Sequence, residues 1–114
     1  MTIINKTKNT VLAEEAGIAD SPFSRIKGLL GKNGLNRGEA LVIRPCNSIH
    51  TFFMRFTIDV LFVNKNNRVV KAVSCLKPFR LSAIYLGASF VIELPNGVIQ
   101  STSTQAGDIV SLQS

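Results

Sequence analysis

Across 114 residues there is no tryptophan, one tyrosine, one histidine, two cysteines and four prolines. Each scarcity excludes something. Cys46 and Cys75 lie far apart, and with His50 as the one further soft ligand they form no zinc-type spacing, so no metal site is expected. Eight glycines and four prolines are too few for a collagen-like or low-complexity chain. Charged residues amount to 18% against 46% apolar, which rules out a disordered tail and provides enough apolar surface for a core. Apolar runs such as Val60 to Val63 are far shorter than the roughly 20 residues of a membrane helix, so no membrane partner is expected. The first residues carry lysines without an apolar stretch of about 7–15 residues after them, the pattern of a secretory signal. These absences lead to the expectation of one cytoplasmic domain over residues 1–114, with both cysteines reduced and packed as small apolar groups.

Several motifs are also missing. The stretch Gly28 to Gly34 lacks the spacing of a phosphate-binding loop, and it lacks Ser or Thr after Lys32. No strained G-x-S-x-G elbow occurs, although Cys46, Ser48, His50 and Asp59 are the residue types of nucleophilic catalysis. No cofactor is implied.

Charge is abundant in the middle of the chain. The net charge is +6, and residues 41–85 hold seven cations, Arg44, Arg55, Lys65, Arg68, Lys71, Lys77 and Arg80, against Asp59 alone. Such a centre attracts an anionic small ligand or an acidic protein partner, or else forms a solvated face. Nucleic acid is a weaker alternative. Phe52, Phe53, Phe56 and Phe62 lie near Arg55, Lys65 and Arg68, but strand alternation sends about half of these rings into the core, and no recognised RNA-binding motif is present.

Short β-type runs dominate. Residues 2–7 and 10–15 read as a hairpin turning at Lys8-Asn9. Ser21-Pro22 starts a helix in which Ile26, Leu29 and Leu30 form an apolar stripe, ended by Gly31 or Gly34. Strands follow at 40–45, 58–64, 68–76, 88–94 and 108–112, with 58–64 and 68–76 paired as a hairpin and 98–104 undecided. The fold expected is α+β and β-dominated: an antiparallel or mixed sheet, or a barrel-like domain, with one or two short helices.

The densest chemistry lies between Cys46 and Asp59, which includes the sole histidine and the one acid between Glu39 and Glu93. In the strand that follows, Ile58, Val60 and Phe62 alternate with Asp59, Leu61 and Val63, so both faces are apolar and Asp59 needs a partner. Candidates are His50, Thr51, Arg55, Arg25, Arg44 and the amides of the preceding loop. Asp59 then either pins that loop to the sheet or orients His50 as an acid–base pair.

The string Cys46-Asn-Ser-Ile-His50-Thr-Phe-Phe-Met54-Arg55-Phe-Thr-Ile-Asp59-Val-Leu-Phe-Val63 resembles the signature of the uncharacterised prokaryotic family known as domain of unknown function 192. Arg25-Ile-Lys-Gly-Leu29, Val91-Ile-Glu93-Leu-Pro-Asn-Gly97 and Gly107-Asp108 extend the resemblance over nearly the whole chain; Thr57 departs from it, standing where the family usually has proline. The resemblance implies a compact β-dominated domain without an assigned reaction. It marks His50, Thr51, Met54, Arg55, Asp59, Arg25, Glu93 and Asp108 as candidate ligand-binding residues. The function expected is a binding module with a cleft around His50 and Asp59 for an anionic small ligand or a peptide. The alternatives are a hydrolase-like enzyme using those two residues and a nucleic-acid accessory protein using the basic centre.

Overall fold

Two stretches of this sequence are apolar on both faces apart from one acid each, and both lie at the middle of a sheet. They are β5, Ile58–Val63, and β7, Phe90–Pro95, and every residue in them is buried. The computed structural model, which describes residues 1–114, places around them β1 (Thr2–Asn5), β2 (Thr10–Ala13), β3 (Glu15–Ala19), α1 (Pro22–Lys27), β4 (Glu39–Ile43), β6 (Val69–Leu76), α2 (Val98–Thr102) and β8 (Val110–Gln113). The molecule is mostly β, with two short helices. A five-stranded sheet runs β3-β4-β7-β5-β6, and a three-stranded sheet runs β2-β1-β8; neither closes into a barrel. All pairs are antiparallel except β3 with β4. No helix is long and apolar enough to cross a membrane.

Alternation along the central strands divides the interior in two. Leu61, Val63, Ile92 and Leu94 face one cluster with Ile3, Leu12, Val42 and Val110, which joins the two sheets. Ile58, Val60, Phe62 and Val91 face the other, covered by Leu29, Ile49 and Met54 from the connecting segments. A one-residue slip of either strand would exchange these faces and carry its single acid to the other side, so Asp59 and Glu93 mark the register where apolar alternation does not.

The opening hairpin and the β5–β6 hairpin form as the sequence predicts, with Asn9 and Asn67 taking the left-handed conformation in their turns. Two expectations need correction, and one undecided stretch is resolved. The second strand, expected over residues 10–15, ends at Ala13, and residues 15–19 form the separate strand β3, which runs parallel to β4. Residues 98–104, undecided from the sequence, contain α2. The apolar stripe on the first helix does not exist. Ser21 caps α1 through a reciprocal bond with Ser24 and Pro22 sits in its first turn, but Gly28, at φ 47°, ends the helix before Leu29. α1 buries no residue, Ile26 stays exposed, and Leu29 reaches the core from the turn that follows.

Candidate functional site

On the face of the large sheet that carries Val60 and Val91, a cavity of about 410 Å³ opens between α1 with its following turn, the end of β4, and residues 46–54. Its lining is half apolar: Ile26, Leu29, Leu30, Ile43, Ile49 and Met54 among others. The polar members are Arg25, Lys27, Cys46, Ser48, His50 and Glu93. Arg25, Lys27 and His50 are exposed and mark the mouth, whereas Glu93 is 3% exposed and belongs to the floor.

Glu93 reaches this position through strand register. In β7 it stands between Leu41 of β4 and Val60 of β5, so its carboxyl rises from an apolar sheet face. Its Oε1 is buried without a hydrogen-bond partner. Burial alone pushes the carboxyl from 4.5 up to about 7, since no cation or donor offsets the lost hydration. Arg25 borders the same cavity but makes no ion pair with Glu93; the one salt bridge of the molecule, Lys8 with Asp108, lies elsewhere. Burial likewise pushes the Cys46 thiol above its ordinary value, and Cys46 Sγ donates to the Ser48 carbonyl at 3.0 Å.

The wall around His50 is held by Thr51. Its Oγ1 donates to the Lys77 carbonyl at 2.6 Å and accepts the Arg80 amide at 2.9 Å. Its amide donates to the Arg80 carbonyl and its carbonyl accepts the Phe79 amide, both at 2.9 Å. Further along, the Ser82 amide donates to the Ile49 carbonyl and the Tyr85 amide to the Asn47 carbonyl, so segment 77–87 runs antiparallel to 46–54 and backs it. His50 Nδ1 accepts the Phe52 amide at 3.3 Å, and the imidazole ring stacks on the Phe52 ring.

The structure does not bring His50 and Asp59 together, which corrects the expected cleft. Asp59 is fully buried, but Oδ1 accepts the Cys75 amide at 3.0 Å, and Oδ2 accepts the amides of Gly97 at 3.1 Å and Ile99 at 2.8 Å. Its partners come from β6 and from the turn entering α2, not from the loop ahead of it. The reason is alternation: Asp59 shares the face of Leu61 and Val63, opposite the face from which Glu93 projects. Asp59 thus ties a strand and a helix start to the sheet centre.

The other candidates divide. Arg25, His50, Met54 and Glu93 line one cavity. Thr51 supports its wall from a buried position. Arg55 points to Asn33 Oδ1 at 2.6 Å and does not line the cavity. Asp108 lies by the small sheet, where burial opposes ionisation. Hydrogen bonds from Asn5, the Gln105 amide and Lys8 outweigh that cost and hold its carboxyl below the usual range. Cys46 and Ser48, noted above as nucleophile types, line the cavity as well, and Ile26 and Lys27 join them because the turn at Gly28 brings 22–30 over the loop.

The fold and cavity describe a small two-sheet β domain with an acid-floored pocket. The chain matches the model of the domain of unknown function 192, described as "Uncharacterized ACR", over residues 3–112, and it belongs to that family. It is 39% identical over 111 residues to a UPF0127 protein of Pyrococcus horikoshii, covering 93% of this chain and 94% of that one. It is 36% identical over 110 residues to a UPF0127 protein of Thermococcus sibiricus, covering 93% and 71%. The crystal structure of a protein of unknown function from Novosphingobium aromaticivorans superposes with a TM-score of 0.84 at 17% identity, covering 97% of this chain and 82% of the other, a likeness of fold.

Proposed function

We propose that the protein is a binding module whose cavity takes a small anionic molecule that also carries an amino or hydroxyl group. The carrying observation is the Glu93 carboxyl, buried at the cavity floor with Oε1 unpartnered. An apolar cavity with one buried, uncompensated acid is costly to leave unfilled, and a ligand donor would recover the missing hydrogen bond. Arg25 and Lys27 at the mouth supply positive charge for the anionic group, held away from Glu93. The apolar lining between them suits a short hydrocarbon body. The two unpaired cysteines support a cytoplasmic setting.

A panel of amino- and hydroxy-carboxylic acids, screened by amide chemical-shift perturbation, tests this reading. At least one member is expected to shift Glu93, Ile49 and His50 together. Glu93→Leu should abolish that binding and Arg25→Ala should weaken it about tenfold, the loss of one charge-assisted hydrogen bond. A panel that leaves these amides unmoved, or binding that survives both substitutions, would overturn the proposal.

A further inference from the structure

The helix at the cavity mouth, the loop that walls it and the segment that backs that loop each expose large apolar side chains. Phe23 and Ile26, one helical turn apart on α1, are 77% and 73% exposed. Ile26 and His50 line the same mouth, and His50 pairs with Leu81, which is 71% exposed. Phe53, 77% exposed, meets the exposed Phe79 edge to face at 5.6 Å. Scattered apolar residues on a surface need no explanation, but exposed apolar side chains concentrated on the helix at the mouth and on the two paired segments of its wall mark an interaction surface.

The charge of the same segments says what covers it. Residues 21–30, 46–55 and 77–87 contain Arg25, Lys27, Arg55, Lys77 and Arg80 and no acidic residue at all. A second copy docking through this face by a two-fold axis would set these cations against their own counterparts. An anionic lipid surface instead matches both features, taking apolar tips into its interfacial layer and cations onto its head groups. It also accepts side chains projecting from separate segments without demanding a complementary groove. The expected absence of a membrane partner rested on the lack of a spanning segment, which has no bearing on a protein that lies on the surface.

We infer that this face seats the cavity mouth on an anionic bilayer. The inference shares Arg25 and Lys27 with the ligand reading but makes no use of Glu93 at the floor, and its test pairs within 77–81 lie outside the residues that reading assigns to the ligand.

Co-sedimentation with vesicles of phosphatidylcholine containing phosphatidylglycerol, and with vesicles of phosphatidylcholine alone, tests it. The protein should partition onto the anionic vesicles, release as salt is raised, and bind the neutral ones far less. Phe79→Ser with Leu81→Ser should lower the partition coefficient at least about tenfold, and Lys77→Glu with Arg80→Glu comparably. Phe23→Ser with Ile26→Ser, on a helix that buries nothing, gives the same readout should the first pair disturb the fold. Glu93→Gln should leave partitioning unchanged, which separates failure here from failure of the ligand reading. The inference is overturned by absence of binding to anionic vesicles at low salt, or by partitioning that ignores both apolar pairs. It is equally overturned by a single-stranded oligonucleotide binding as tightly through the same residues, or by dimerisation that Leu81→Ser abolishes.

Discussion

At the scale of the single residue, two buried carboxyl groups on neighbouring strands meet opposite fates. Asp59 and Glu93 rise from opposite faces of the same sheet; one receives three backbone amides and the other receives none at Oε1. Three directed amides replace the hydration an aspartate loses on burial, so Asp59 is a structural keystone. Asp59→Ala would leave the amides of Cys75, Gly97 and Ile99 without their acceptor. At about 1–3 kcal/mol for each buried unsatisfied group, the loss should reach at least about 3 kcal/mol. Urea denaturation checks this, and a loss below about 1 kcal/mol would show that water substitutes for the carboxylate.

Among elements, the cavity wall depends on segment 77–87 lying against 46–54, and Thr51 is the link. Thr51→Val keeps the volume and removes both hydroxyl hydrogen bonds, those to the Lys77 carbonyl and the Arg80 amide. Global stability should fall by about 1–3 kcal/mol. Hydrogen exchange should accelerate at Thr51, Phe79 and Ser82, whose amides stitch the two segments together, while β5 and β7 keep their protection. Uniform acceleration across the sheet would contradict a local role for this staple.

For the whole molecule, most of the strand framework can be read from the sequence. Turn pairs such as Lys8-Asn9 and Asn66-Asn67 separate β-type runs, and the apolar pattern of 58–64 identifies a central strand. The same alternation separates Asp59 from Val60, and applied to β7 it places Glu93 with Val91 on the cavity face. What the residues cannot reveal is long-range: β3 joins β4 in parallel across α1, and Asp59 finds amides about forty positions away, at Gly97 and Ile99. The helical stripe failed locally, because Gly28 takes a positive φ and breaks the 3.6-residue period before Leu29. The cavity, assembled from α1, the loop and β7, follows from those distant pairings. Its acid was visible as a family-like position, and its isolation was not.

That isolation governs how stability depends on pH. Glu93 holds its proton more tightly folded, at about 7, than unfolded, near 4.5, so between these values the native state binds the extra proton. Its stabilising effect is complete below about 4.5 and is lost as pH rises through 7, a decline on the order of 3 kcal/mol. Asp108 acts in the opposite sense, but only at more acid pH, where its lowered carboxyl begins to protonate. The decisive measurement is therefore the unfolding free energy of the wild type and of Glu93→Gln from pH 5 to pH 8. The wild type should lose stability relative to the variant across that range and level off above about 7.5. Parallel curves for the two proteins would mean that the Glu93 carboxyl is already compensated, and the acid-floored cavity would lose its meaning.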